Sequence, residues 1–148
     1  MSRRDVIALC SILVVLTAAS TRASAQHLPE TLVGTAWRLI EFRSSEDDIG
    51  VLRPTDSSLY TMSLGENGSV SMRLDCNRAS GTWSASSAGG SFGFGELRMT
   101  RVVCQQPSLD VQIARHAEYV SSFLLRDGLL YLNLIADGGT YVWEPLDD

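Results

Sequence analysis

Lysine is missing from this 148-residue chain, and every one of its 12 basic residues is an arginine. Schiff-base and lysine-nucleophile chemistry goes with it; the bias itself reads as a property of genome composition. Histidine is nearly as scarce, with only His27 and His116. Neither belongs to a His-x-x-x-His pair and no Cys-x-x-Cys spacing occurs, so no metal site and no cofactor is expected. After residue 25 no apolar run is long enough to cross a bilayer, so no membrane span is expected in a mature protein. The chain also lacks repeats at solenoid spacing and any βαβ alternation.

What is present begins with a leader. Arg3 and Arg4 precede an apolar run from Val6 to Ala19, and Ala23, Ser24 and Ala25 form a small-x-small cleavage site. This is the layout of a secretory signal, with cleavage expected before Gln26. Cys10 sits near the front of the apolar run, where cutting would split the signal, so it is not read as an acylation site. Residues 26–148 then form one domain of a size that holds a single core. The expected location is the periplasm or the cell exterior. Loss of Arg3, Arg4, Arg22 and Asp5 makes the formal charge of −5 more negative still. Such a chain repels phosphate backbones and anionic lipid, so nucleic acid is not an expected partner. A monomer is expected, with an envelope protein as its partner.

Period-two patterning dominates the rest. Thr35 to Phe42 reads as a first strand, with Trp37, Leu39 and Glu41 on one side and Ala36, Arg38, Ile40 and Phe42 on the other. The polar stretch from Arg43 to Ser58 reads as a long surface loop. Tyr60–Leu64 and Val70–Leu74 flank Gly65, Glu66, Asn67 and Gly68, where Asn-Gly supplies positive φ for a tight hairpin. The same Asn67-Gly68-Ser69 spells a glycosylation sequon that the turn explains without sugar. Further strands are expected over Gly81–Ala85, Phe92–Phe94, Leu97–Met99, Leu130–Ile135 and Thr140–Glu144. The one helical signal starts near Pro107 or Ser108, places Leu109, Ile113, Ala117, Val120 and Leu124 on one face, and stops at Gly128. Asp110 suits the positive end of its dipole. These elements predict a mainly β (α+β) fold, with seven or eight antiparallel strands curled into a barrel and one helix packed on a side.

Gly34, Thr35, Trp37 and Leu39, then Asp75, Cys76, Asn77, Gly81 and Trp83, then Thr100 and Cys104 together resemble the META domain family, the HslJ-like proteins. The resemblance spans nearly all of residues 26–148. Two positions depart from it: Asp75 stands where a Gly often precedes Cys-Asn, and Val102-Val103 stands where Met-Ala is usual before the second Cys. The resemblance implies a compact barrel-like domain of bacterial envelopes, linked to stress tolerance, with no established catalytic residues.

Cys76 and Cys104 are the only cysteines left after the leader. Export and an even count favour one structural disulfide, with two separate buried thiols as the alternative. His116 falls beside the apolar stripe, where a partly buried, hydrogen-bonded histidine is the ordinary outcome. Gly89-Gly90-Ser91-Phe92-Gly93 matches the Gly-x-Ser-x-Gly nucleophile pattern but lacks the strand-to-helix turn that chemistry needs. Glu46, Asp47 and Asp48 lack EF-hand spacing and read as a solvated loop. Trp37, Trp83 and Trp143 belong to the barrel wall or core, or line a cavity for an apolar ligand. Asn77 is read as satisfying backbone groups at a turn or strand end. No catalytic residue emerges. The leading expectation is a non-catalytic, stress-protective or protein-binding envelope domain. The alternatives are an apolar-ligand carrier using a barrel cavity and a hydrolase inhibitor presenting the Arg43–Ser58 loop.

Overall fold

The computed structural model describes residues 29–146 apart from 87 and 89; the assigned leader, its cleavage site, Cys10 and His27 lie outside the described residues. Its strands are β1 (Thr35–Arg43), β2 (Val51–Leu52), β3 (Tyr60–Leu64), β4 (Ser69–Leu74), β5 (Asn77–Ser86), β6 (Ser91–Phe94) and β7 (Arg98–Met99). After them come helix α1 (Asp110–His116) and strands β8 (Val120–Arg126), β9 (Leu129–Leu134) and β10 (Thr140–Pro145). The order β1-β3-β4-β5-β6-β8-β9-β10 is hydrogen-bonded throughout, and pairing of β10 with β1 closes it into an eight-stranded barrel. Closure gives β1 and β10 partners, so neither end of the strand order is left as an open edge. Two short strands are not part of this order: β2 pairs with β1, and β7 pairs with β5 on the same side as β6. The expected antiparallel barrel with one α-helix is what the described residues form.

Alternation sets which side chains fill it. In β5 the alternate residues Asn77, Ala79, Trp83 and Ala85 are buried, Gly81 is half-buried, and the residues between face out. The same rule carries Met62 and Leu64 of β3, Val70, Met72 and Leu74 of β4, and Leu130, Leu132 and Leu134 of β9 into one core cluster. Leu39, Met62, Leu74 and Leu130 are 0% exposed, so no water-sized space adjoins them from inside or outside. The barrel interior is packed with side chains, as in other small eight-stranded barrels.

Four local readings differ from expectation. In β1 the register with β10 slips between Leu39 and Glu41, a bulge that leaves Ile40 unpaired. The slip turns Phe42 inward with Trp37 and Leu39, so Phe42 does not share a face with Arg38 as strict alternation predicts. Glu41 is buried instead under Arg43 and Arg53, each 2.6 Å away. Burial alone would raise its pKa, but the two guanidiniums outweigh that and hold the carboxyl below its ordinary value.

The hairpin between β3 and β4 is not a two-residue primed turn. Gly68 N–H returns to Gly65 O at 3.1 Å, and only Gly68, not Asn67, takes positive φ.

The helix is the largest difference. It ends at His116; a 3-10 turn covers Ala117–Tyr119, and Val120 begins a strand rather than a further helical turn. Val120 and Leu124 fit a helical stripe by spacing, but pairing of β8 with β9 over Val120–Arg126 gives their backbone more partners than an isolated helix end could. The Arg43–Ser58 stretch also contains β2 and a 3-10 turn at Ser57–Leu59, so it is not wholly loop.

His116 shows how the helix is seated. Its Nδ1 lies 2.8 Å from Tyr141 Oη, its ring stands 5.3 Å from that of Phe42, and burial lowers its pKa. Burial also raises that of the Tyr141 phenol. Because His116 binds a proton less readily folded than unfolded, its contribution is fully present above its ordinary pKa of 6.5 and is lost as pH falls toward the depressed value. The urea midpoint is expected to drop between about pH 7.5 and about pH 5.5, and His116→Gln should flatten that part of the profile.

Candidate functional site

The tip of the β4–β5 hairpin carries the site. Leu74 pairs with Asn77, so Asp75 and Cys76 alone make the connection. Asp75 takes φ 59, the left-handed region, which is why a glycine suits this place and why a short polar residue is the next best occupant. Cys76 Sγ is bonded to Cys104 at 2.05 Å, with 5.6 Å between the Cα atoms. The bond is lopsided, because Cys76 is exposed while Cys104 is 5% exposed.

Directly beneath lies Asn77, 1% exposed. Its Oδ1 accepts from Thr100 Oγ1 at 2.8 Å and from Val102 N–H at 2.9 Å. Its Nδ2 donates to Val102 O and to Asp110 Oδ2, each at 2.9 Å, and lies 3.4 Å from Cys104 Sγ. The two bonds to Val102 are those a backbone residue of β5 would make. The amide thus extends the ladder past the strand's own backbone. Asp110, 3% exposed, is the second buried polar residue, and its Oδ1 accepts from Ser108 Oγ at 2.9 Å. Tyr60 of β3 completes the cluster by accepting Leu109 N–H at 3.0 Å and touching Ser108 Oγ at 3.1 Å. Each oxygen of the Asp110 carboxyl group has a donor.

The other motif residues have separate structural tasks. Thr100 Oγ1 also accepts Arg78 N–H at 2.9 Å. Trp37 Nε1 donates to Thr35 Oγ1 at 2.7 Å, and Trp83 Nε1 to Gly65 O at 3.1 Å. Gly81 lies where the chain between β6 and β7 crosses β5. A Cβ there would stand 2.6 Å from Glu96 O and 2.8 Å from Leu97 Cδ2. Gly81→Ala must therefore push that crossing away from β5 and is expected to cost about 2 kcal/mol, read as a lowered urea midpoint.

Between this cluster and the rest of α1 opens a cleft of about 1010 Å³. Phe94, Leu97, Met99, Val102, Val103 and Val111 supply its apolar lining; Arg101, Arg115, Glu96 and Glu118 supply charges of both signs; Asn77, Cys104 and Asp110 also reach it. Val103 is 94% exposed and Val102 58%, which is unusual for neighbouring branched aliphatics without a partner. Sequence reasoning singled out Asn77, Thr100 and both cysteines, which the fold brings together with Cys104 against Asp110. It took Asp110 for a dipole residue and missed Tyr60, Ser108 and the cleft. Trp37 and Trp83 stand apart from this cluster, in the barrel wall. Ser91 pairs with Ser122 in the sheet, and Gly89 of the apparent nucleophile pattern lies outside the described residues.

Solved structures share the architecture. An NMR structure of a protein from Burkholderia xenovorans superposes with a TM-score of 0.65 at 18% identity, covering 90% of this chain and all of that one. A crystal structure of a DUF4847 family protein from Bacteroides vulgatus gives 0.57 at 11% identity, over 78% of this chain and 94% of that one. A further NMR structure gives 0.55 at 24% identity, over 78% and 92%. Identities this low establish the fold alone. No curated protein matches the chain. The family model of the META domain matches residues 30–143, and with the Cys-Asn hairpin, Gly81, Trp83 and Thr100 all placed in one barrel, the chain belongs to the META domain family.

Proposed function

We propose that this chain is an exported, non-catalytic binding domain of the bacterial envelope, with a stress-protective role exercised through contact with another protein. One observation carries this reading: the barrel interior is filled, while apolar side chains line an open cleft outside it. A concave, mostly apolar surface with a few polar groups is the usual form of a binding site. The filled interior weighs against carriage of an apolar ligand inside the barrel. The buried Asp110 carboxylate has its oxygens occupied by Asn77 and Ser108, so it is tied into structure rather than free for proton transfer.

The test is binding of the apolar fluorophore 8-anilinonaphthalene-1-sulfonate to the folded protein. Enhancement with a dissociation constant of about 10–100 μM is expected, reduced about tenfold in a Val103→Asp/Val111→Asp variant that keeps its near-ultraviolet circular dichroism. Absence of enhancement, or enhancement untouched by the two substitutions, would remove the cleft from consideration. Fractionation of a C-terminally tagged full chain, with the mass of the recovered species, tests export. The expected product is periplasmic and begins at Gln26; an intact chain in the cytoplasm would overturn that part.

A further inference from the structure

The cleft is also an opening in the barrel wall. On one side of β5, β6 and β7 lie end to end, Ala85 opposite Phe92 and Ala79 opposite Met99. The next wall strand, β8, meets β6 only at Ser91, opposite Ser122. Beyond that point the far edge of the β6–β7 run has no strand beside it among the described residues. Helix α1 stands across the gap, with Val111 and Ala114 lining it.

The direction of the backbone groups along that edge can be read from their partners. Thr100 N–H donates to Arg78 O at 3.0 Å. Val102 exchanges both of its backbone bonds with the Asn77 side chain. In an antiparallel pair, alternate residues turn N–H and C=O toward the neighbour and those between turn them away. Arg98, Thr100 and Val102 therefore turn toward β5; Met99, and Arg101 just past the end of β7, lie between these and offer their groups to the open side. Among the described residues those outward groups have no backbone partner. Folded proteins ordinarily cover, charge or twist away such an edge. Here it runs beside Leu97, Met99 and Val103 in a cleft whose charged residues are of both signs, so neither a cation nor an anion is selected.

We propose that the cleft binds an extended segment of a partner polypeptide as an added strand. Its backbone pairs with Met99 and Arg101, and its apolar side chains, at every second position, turn onto Val111 and Ala114. Main-chain hydrogen bonds supply the affinity in such strand addition, and alternate side chains supply the selectivity. This rests on the cleft being a binding surface, and it narrows the ligand to one shape. Asn77 is then a positioning residue, since its amide fixes the backbone of Val102 at the end of β5.

The probe is a capped heptapeptide of alternating threonine and valine, set against the same peptide N-methylated at its central residues, which is more apolar but cannot form a ladder. The first is expected to bind at least about tenfold more tightly than the second and to slow hydrogen exchange at the Met99 and Arg101 amides by about tenfold or more, while Leu132 in the barrel core is unaffected. Equal binding of both peptides, or binding without protection at Met99 and Arg101, would overturn strand addition. If neither peptide binds while the naphthalene sulfonate still occupies the cleft, strand addition fails and the binding reading stands. Loss of all three ligands brings down both.

Discussion

Asn77→Ala is expected to destabilise the protein by about 4 kcal/mol, a fall in melting temperature of roughly 15 °C for a domain of this size. The substitution removes few atoms but breaks four hydrogen bonds at once: one to and one from Val102, one from Thr100 and one to Asp110. Stranding buried polar groups costs more than the bonds themselves contribute, and here the stranded set includes a carboxylate that is 3% exposed. Two companions separate charge from shape. Asn77→Asp keeps the shape but replaces the amide donor with an oxygen facing Asp110 Oδ2, so its defect should be at least as large. Asp110→Asn keeps the shape and an acceptor for the Asn77 amide, and should cost at most about 1.5 kcal/mol. Urea unfolding followed by fluorescence of the tryptophans reads all three. An Asn77→Ala midpoint equal to wild type would mean that this cluster does not hold the β7–α1 connection in place.

Removing the covalent link is the second large effect. Cys76 and Cys104 are 28 residues apart, and loop-closure entropy for that span puts the loss in Cys76→Ala/Cys104→Ala at about 3.5 kcal/mol. The mechanism predicts more than a shifted midpoint. Freed from its cross-link the unfolded chain expands and exposes more surface, so the urea m-value should rise. Asn77→Ala acts on the folded state and should leave m unchanged. The variant is expected to fold, because Asn77 still clasps Val102 and Asp110. Titration of denatured, unreduced wild-type protein is expected to find neither Cys76 nor Cys104 as a free thiol. Finding both would mean that the pair is buried as two separate groups.

Legibility in the sequence followed the range of the forces involved. Strands β3, β4, β9 and β10 could be read because one buried face imposes a two-residue rhythm on Met62, Leu64, Leu130, Leu132 and their neighbours. The bulge at Ile40 could not, since it answers to the register of β10, about a hundred residues away along the chain. The helix was overrun at its end for a related reason: Ile113, Ala117, Val120 and Leu124 keep helical spacing, and only the availability of β9 as a partner decides that Val120 goes into a sheet. At the site, Asn77, Thr100 and the cysteines stand out by type and order. Asp110 does not, because a carboxylate near a helix start looks the same on paper whether it meets solvent or a buried amide. The cleft was invisible because its walls, Phe94 to Val103 and α1, become neighbours only once the ring has closed.

Pairing of β1 with β10 has one last consequence. Trp37 sits opposite Pro145, and Leu146 N–H reaches Ala36 O at 2.9 Å, so entry to the first stave and exit from the last share one rim. The ring then has no mechanical beginning. A bridge from Leu146 back to Pro29, which keeps the buried Leu32, with new ends cut at the exposed Asp127–Gly128 bend, would yield a circular permutant in which every stave keeps its neighbours and only the order of synthesis changes.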